Sequence, residues 1–185
     1  MKYNLDWVRE RHQRGEKQKY VFFWGHQPKK DGSVGESCFS QWWVSPFTVE
    51  GVAYQTAEHW MMVQKARLFN DQEHARQVLA SASPAQAKKI GRLVEGFDGN
   101  VWDRHKYEFV REGNYHKFSQ HPALREFLLN TGDRVLVEAS PVDKIWGIGM
   151  AKTDEHIHNP DRWKGENLLG FALMEVRDAL RQTGT

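Results

Sequence analysis

The amino-acid sequence predicts a mainly α-helical protein with a minor β element, which belongs to the α+β class. Helix-start signals precede several segments in which apolar residues recur at helical spacing. Runs typical of strands are few and short, namely YVFFWG, FTVEGVAYQ and RVLVEAS. We therefore expect a compact, mainly helical fold with a small number of short strands.

The three strand-like segments differ in pattern. The run from Tyr20 to Gly25 is continuously apolar, as in a buried strand. FTVEGVAYQ alternates in polarity and contains Glu50-Gly51, which predicts a small hairpin that turns at this pair. RVLVEAS, residues 134–140, predicts one further strand.

The helices are predicted mainly from their ends. Thr56 is a plausible N-cap for TAEHWMMVQKARLF, and Ser83 followed by Pro84 is a stronger start signal for SPAQAKKIGRLV. NVWDRHKYEFVREGNYHKFSQ predicts a long helix weakened at Gly113, and HPALREFLLNTG a shorter one closed by Gly132. The C-terminal stretch ENLLGFALMEVRDALRQ predicts an amphipathic helix.

Charge and cysteine content limit the classes of partner. Lys+Arg 26 against Asp+Glu 24 gives a formal charge of +2, too balanced for broad sequence-independent binding to nucleic acid, although it leaves room for a phosphate-sized basic pocket. The single cysteine, Cys38, excludes an internal disulfide and agrees with a reducing compartment. We expect Cys38 to be a small buried residue. The N-terminus lacks the apolar core of a signal peptide, and no apolar run is long enough to cross a bilayer. We expect one cytoplasmic domain without a membrane partner.

The stretch EASPVDKIWGIG has the strongest chemical character. Asp143 lies three residues before Trp146, and Gly147 and Gly149 follow. Packing would explain the tryptophan but not the acid, and a flexible loop would explain the glycines but not the tryptophan. This combination indicates a ligand, with the glycines letting the backbone come close to it. The alternative is that Asp143 caps a helix beginning in VDKIWG.

A second set of candidates lies on the predicted helices. Glu58 and Lys65 are seven residues apart on one helix, so they share a face and lie about 10 Å apart along its axis. That face could line a pocket, or Glu58 could merely favour the helix N-terminus through the dipole. Tryptophan side chains are usually buried, so Trp102 is expected to anchor the core. Arg92 and Lys117 are ordinary surface residues unless an anion lies between them.

A metal site is not expected. His156 and His158 in DEHIHNPD are two residues apart beside acids, but neither their spacing nor a partner elsewhere fits a zinc pattern, which favours a surface loop. WGIG does not open a helix after a strand in a Gly-x-Gly-x-x-Gly pattern, so it does not predict a dinucleotide fingerprint.

From about Tyr20 onward the chain resembles the NADAR, or YbiA-like, family in the order and spacing of its motifs. The blocks that carry the resemblance are FSQWWVSPFTVEGVAYQTAEHWMMVQKA, AKKIGR, NVWDRHKYEFV, KFSQHPALREFLLNTGDRVLVEAS, DKIWGIG and GENLLGFALMEVRDAL. The resemblance implies a single YbiA-like domain over residues 20–185, after an N-terminal extension of residues 1–19. Two departures are Ser40-Gln41-Trp42, where many relatives read Ser-Asn-Phe, and Gly165-Glu166-Asn167, where Gly-Lys-Asn is common.

The resemblance also implies an activity. Members are N-glycosidases that hydrolyse the bond between a base and a ribose phosphate, such as ribosylaminopyrimidine phosphates of riboflavin biosynthesis or ADP-ribose linked to guanine in nucleic acid. By position, Glu58 and Asp143 would be the catalytic acids and Trp102 and Trp146 the pocket tryptophans. The positions implied to contact phosphate and ribose are Lys65, Arg92, Lys117 and Asn167.

The implied chemistry fits these residue types. Cleavage of an N-glycosidic bond builds positive charge on the ribose, so a carboxylate near the anomeric carbon and a flat ring against the base would serve it. No metal or other cofactor is expected, because the cation to be stabilised is the sugar itself. The expected partner is a small ribosyl-phosphate or ADP-ribosyl substrate, with ADP-ribosylated nucleic acid as a second candidate.

Two other classes of function stay open at this point. A non-catalytic module that binds NAD or ADP-ribose would use the same tryptophans and basic residues without needing both acids. A helical interaction protein would need neither acid in a pocket. Release of a free base from a candidate substrate separates the enzyme from both.

Overall fold

The computed structural model describes residues 1–183 and confirms a mainly helical α+β fold. Within this range it contains seven α-helices and four short strands. In chain order these are α1 (Leu5–Gln13), β1 (Tyr20–Phe23), β2 (Phe47–Val49), β3 (Val52–Tyr54), α2 (Ala57–Leu68), α3 (Gln72–Ala80), α4 (Pro84–Gly91), α5 (Gly99–Gln120), α6 (Pro122–Leu129), β4 (Val135–Glu138) and α7 (Leu168–Gln182).

The backbone groups into two compact units, one formed by residues 1–40 with 122–185 and the other by residues 41–121. The single domain expected from residue 20 stays a prediction. None of the helices in residues 1–183 combines the length and the apolar character that crossing a membrane requires.

The first unit is built on a two-stranded parallel sheet, in which β1 pairs with β4 and Tyr20 lies opposite Val135. Helix α7 covers β4 at very short range, which requires glycine at position 170, because a Cβ there would lie 2.1 Å from the carbonyl oxygen of Leu136. Arg177 of α7 is buried and donates from Nη1 to the Thr131 hydroxyl (2.8 Å) and to the Arg134 carbonyl (2.8 Å). This arginine fastens α7 to the turn before β4.

The second unit begins with the predicted hairpin, in which β2 and β3 pair antiparallel. Its turn residues Glu50 and Gly51 have φ of 49° and 77°, the two positive values of a type I′ turn. Helix α2 follows and is central to this unit, packing against α3, α4 and α5. Accordingly, seven consecutive residues of α2, from Ala57 to Val63, are buried.

Two predicted N-caps are confirmed in this unit. The hydroxyl of Thr56 accepts from the backbone N–H of His59 (3.3 Å), and that of Ser83 accepts from the N–H of Gln86 (3.2 Å). Helices α1 and α3 were not predicted, although Asn4 and Asp71 cap them in the same manner. Both are nine-residue polar helices with few buried residues, so only a few apolar residues mark the buried face of each.

The expected weakening of the long helix at Gly113 is wrong. Helix α5 runs without interruption from Gly99 to Gln120. A Cβ at position 113 would lie 2.4 Å from Cδ1 of Trp60, whose indole N–H donates to the carbonyl of Phe109 (2.8 Å). The glycine therefore permits close packing of α5 against α2.

Candidate active site

The predicted site residues fall into two groups. Glu58, Lys65, Arg92, Trp102 and Lys117 lie in the unit of residues 41–121, and Asp143, Trp146 and Asn167 lie in the other unit.

Glu58 lies in the first turn of α2, two residues after the N-cap. Its backbone N–H donates to the carbonyl of Gln41 at 3.0 Å, and the residue is 2% exposed. A carboxylate at this position is favoured by the positive end of the helix dipole. Its burial means that the dipole alone is an incomplete explanation, because ionised side chains that serve only as dipole partners normally remain in water.

Lys65 lies two turns further along α2. Its Nζ donates to the carbonyl of Gly91 at 2.7 Å and lies 5.8 Å from the centre of the Trp102 ring. Burial, and secondly the positive charge of Arg92, lower the pKa of Lys65. Neither Lys65 nor Arg92 forms an ion pair within residues 1–183, so an anion would relieve the repulsion between these two cations.

The approach of α4 to α2 places Arg92 beside Lys65. A Cβ at Gly91 would lie 2.1 Å from Sδ of Met62, so only glycine lets the end of α4 pack this closely on α2. Arg92 follows directly as the C-cap of α4 and is exposed. Its predicted surface position agrees with the structure.

Two expectations about this group are wrong. Lys117 is completely buried on α5, with Nζ 5.1 Å from the ring of Phe118, and is therefore no surface residue. Trp102 is half-buried at the start of α5 and is no core anchor. The contact of either residue with a ligand stays a prediction.

Sequence reasoning missed three residues of this group. Phe97 is 48% exposed and its ring lies 4.2 Å from Nζ of Lys65, closer than Trp102. Gln41 and Asn114 are buried and joined by a hydrogen bond from Asn114 Nδ2 to Gln41 Oε1 (2.7 Å). The departure at Ser40-Gln41-Trp42 was the available signal for Gln41, whereas Phe97 and Asn114 carry no local signature.

In the other unit, Asp143 has one carboxylate oxygen fixed by hydrogen bonds. Oδ1 accepts from the backbone N–H groups of Ile145 (2.9 Å) and Trp146 (2.7 Å). Oδ2 makes no hydrogen bond within residues 1–183, and the residue is partly exposed. The helix that Asp143 was expected to cap, as the alternative reading of VDKIWG, is absent from residues 141–150. The carboxylate instead stabilises a turn, which orients its second oxygen.

Glycine is required next to Trp146 and at position 165 because other backbone segments of the same unit pass very close to these positions. A Cβ at Gly147 would lie 2.8 Å from the carbonyl oxygen of Glu138, and one at Gly165 would lie 2.3 Å from that of Gly147. The turn is tied to residues 164–169 by backbone hydrogen bonds, including Leu169 N–H to Trp146 C=O (3.1 Å). These backbone bonds fix the turn that carries both Asp143 and the half-buried Trp146.

Asn167 is fully buried and bonded to β4 through both ends of its amide. Nδ2 donates to the carbonyl of Leu136 (2.9 Å), and Oδ1 accepts from the backbone N–H of Glu138 (2.9 Å). Its φ of 56° leads the chain into α7. The geometry gives Asn167 a structural role on the edge of β4, and its contact with a ligand stays a prediction.

The weaker signals have ordinary surroundings. No group of three His, Cys, Asp or Glu side chains in the described residues could hold a metal ion. His158 packs edge-on against Phe22, with ring centres 5.1 Å apart. Cys38 is buried, as expected.

Comparison with known proteins agrees with the motif order. The NADAR domain model matches residues 22–181. The chain belongs to the NADAR family. It is 41% identical over 173 residues to an N-glycosidase of Acanthamoeba polyphaga mimivirus, covering 90% of this chain and 99% of the relative. It is 34% identical over 144 residues to an N-glycosidase of Nostoc punctiforme, covering 78% and 85%.

A solved structure shares the NADAR fold. The NMR structure of the Escherichia coli protein YbiA matches with a TM-score of 0.71 and 27% identity, covering 91% of this chain and 90% of that one. The residues that precede the matched part of the chain, 1–21, include helix α1.

Proposed function

We propose that this chain is an N-glycosidase that hydrolyses the C–N bond between a base and a ribose phosphate. The observation that carries the proposal is the carboxylate of Asp143, which is partly exposed and whose Oδ1 accepts hydrogen bonds from two backbone N–H groups. A carboxylate whose orientation is set in advance needs little reorganisation when charge develops. The N-glycosidase relatives of the NADAR family support the same conclusion.

The proposed reaction is a displacement at the anomeric carbon. The bond from that carbon to the base nitrogen breaks, the base leaves with the electron pair and takes up a proton, and a water oxygen forms the new bond to carbon. Of Asp143 and Glu58, one accepts the proton of the attacking water and the other stabilises the positive charge on the ribose.

The cation pair Lys65 and Arg92 is proposed to bind the phosphate of the substrate. The lowered pKa of Lys65 shows that the protein holds its charge at a cost, and a phosphate would remove that cost through charge-assisted hydrogen bonds. Candidate substrates are ribosylaminopyrimidine phosphates and ADP-ribose linked to guanine. Lys117 and Asn167 are proposed as further contacts to phosphate or ribose.

The activity is tested by incubating the protein with each candidate substrate and measuring the free base by chromatography. Release of the base from either substrate is expected, at a rate that scales with protein concentration. Tight binding without release would instead identify a module that recognises the ribosyl phosphate or ADP-ribose.

The phosphate assignment predicts a selective effect of Arg92→Ala. The change should weaken kcat/KM for a phosphorylated substrate at least about tenfold more than for its dephosphorylated nucleoside, since a charge-assisted hydrogen bond is lost only with the former. It should also raise the pKa of Lys65, because one of the two causes that lower it is removed. The matched control is Arg76→Ala, an exposed arginine of the same unit whose guanidinium pairs with Glu73. Equal losses on both substrates would end the phosphate assignment.

The role of the indole predicts a binding defect in Trp146→Ala. If the ring stacks on the base, its loss should weaken ligand binding by about 1 to 3 kcal/mol, the range for aromatic stacking on nucleic-acid bases. Calorimetric titration with a substrate analogue measures the change, and the melting temperature shows whether the turn survives. An unchanged dissociation constant in a folded variant would assign Trp146 to packing.

A further inference from the structure

A cavity of about 500 Å³ lies within the unit of residues 1–40 and 122–185, and none of the predicted site residues lines it. One wall is the N-terminal extension, with Trp7 and Arg11 of α1 and the segment Lys17 to Lys19. The opposite wall is the turn from Thr131 to Val135, which joins α6 to β4. The first wall consists entirely of residues outside the part of the chain that the NADAR model matches.

The segment that carries Lys17 and Lys19 is fixed on both sides. Gln18, between the two lysines, donates from Nε2 to the carbonyl of Val8 in α1 (3.0 Å). The carbonyl of Lys19 accepts from the backbone N–H of Val135 (2.8 Å), which extends the pairing of β1 with β4 by one residue. Both lysines therefore border the cavity from a backbone that is already ordered, and little backbone entropy would be lost when they bind a ligand.

Arg134 is held in place on the opposite wall. Nε donates to the carbonyl of Thr131 (2.7 Å), and Nη2 donates to the carbonyl of Asn130 (2.6 Å). These bonds satisfy two carbonyl groups just after the end of α6. They leave Nη1 of Arg134 without a hydrogen-bond partner in residues 1–183. The guanidinium thus has a fixed plane and a donor to spare, as in sites that bind phosphate.

The charges around the cavity do not cancel. Arg11 pairs with Glu16 at 2.8 Å, and the cavity's acid, Asp133, pairs with Arg181 at 3.0 Å. Lys17, Lys19 and Arg134 form no ion pair within the described chain. Three positive charges that form no ion pair in residues 1–183 therefore border one concave surface, against the single acid Asp133, which raises the local potential for an anion.

An adjoining cavity of about 530 Å³ shares Trp7, Arg11 and Asp133 with the first and differs from it in this respect. Two of its cations pair with acids that also line it, Lys2 with Asp178 and Arg181 with Asp133. The cavity bordered by Lys17, Lys19 and Arg134 therefore has the larger excess of cations over acids.

We propose that the cavity between the N-terminal extension and the α6–β4 turn is a second anion site, which binds the diphosphate group of a small molecule. Three cations match the two or three negative charges of a diphosphate better than the single charge of a carboxylate. The volume is that of a small-molecule site. A small ligand also agrees with the net charge of +2, which is low for a protein that binds nucleic acid broadly.

The test uses inorganic pyrophosphate and the full chain. Two-dimensional NMR should show shifts of the backbone amides of residues 17–19 and 131–135 and of the Trp7 indole as pyrophosphate is added. The double change Lys17→Gln with Lys19→Gln should weaken the affinity reported by these resonances at least about tenfold. The control is Lys29→Gln with Lys30→Gln, which removes two exposed lysines of a loop in the same unit and should leave that affinity unchanged.

Base release separates this site from the proposed catalytic one. The Lys17/Lys19 variant should keep the native glycosidase turnover, because neither lysine belongs to the catalytic group. The absence of shifts at these resonances with millimolar pyrophosphate, or equal affinity in both double variants, would overturn the proposal. Shifts produced by single-stranded DNA but not by pyrophosphate would also overturn it, in favour of a nucleic-acid surface.

Discussion

Asp143→Asn is expected to lower the turnover of base release at least about a hundredfold while leaving the fold intact, the usual effect of removing a general base. Asparagine keeps an Oδ1 that can accept from the N–H groups of Ile145 and Trp146, so the turn should persist. What disappears is the negative charge and the basicity of the second oxygen. The expected result is a low kcat with a nearly native melting temperature and ligand affinity.

The matched control is Asp154→Asn. Asp154 also accepts a backbone N–H two residues ahead through Oδ1, from His156 at 2.9 Å. The control thus repeats the chemical change in a similar turn that contains no predicted catalytic residue, and turnover should stay native. Full activity of Asp143→Asn, with a folded protein and a confirmed substrate, would reduce Asp143 to a turn residue and end the mechanism.

The fold was predictable where the signal is local. Thr56 and Ser83 cap their helices with their own hydroxyls, and Glu50-Gly51 adopts the positive φ values that a tight hairpin needs. Each of these features depends on fewer than five consecutive residues. The prediction of a weakened helix at Gly113 is wrong because it rests on the low helix propensity of glycine. Glycine is required there by the packing of Trp60, which belongs to a helix more than 40 residues earlier.

The candidate site was predictable in residue type but not in environment. The spacing of Asp143 and Trp146 predicts an acid and an indole in one loop, and both residues lie in one turn, in which the backbone N–H of Trp146 donates to Oδ1 of Asp143. The burial of Lys117 and the binding of Asn167 to β4 depend on residues distant in sequence, about 30 positions away in the case of Asn167. The periodicity of a sequence does not report such contacts, which is why the prediction of a surface position for Lys117 is wrong.

Glu58→Gln is the second change with a large expected effect. Glutamine has the shape of glutamate and can occupy the same buried position in the first turn of α2, but it carries no charge. If Glu58 serves the transition state, turnover should fall at least about a hundredfold with little change in melting temperature. If it serves only the helix dipole, the free energy of unfolding should fall by about 0.3 to 1 kcal/mol and turnover should stay native.

Glu73→Gln is the control for the dipole effect, because Glu73 lies in the first turn of α3 and its side chain is exposed. This change should leave turnover unaffected, so a loss confined to Glu58→Gln reports chemistry. A melting curve of each variant accompanies the kinetic measurement. Native turnover in Glu58→Gln would remove Glu58 from the mechanism.

The double variant Asp143→Asn with Glu58→Gln tests whether both acids act on one transition state. Residues that act as a unit lose far less together than the product of their single losses, because the first change already disables the step that the second would impair. Two single losses of about a hundredfold should therefore combine to much less than ten-thousandfold. Losses that multiply in full would mean that the two carboxylates contribute independently, and the proposed division into a base and a charge stabiliser in one displacement would be wrong.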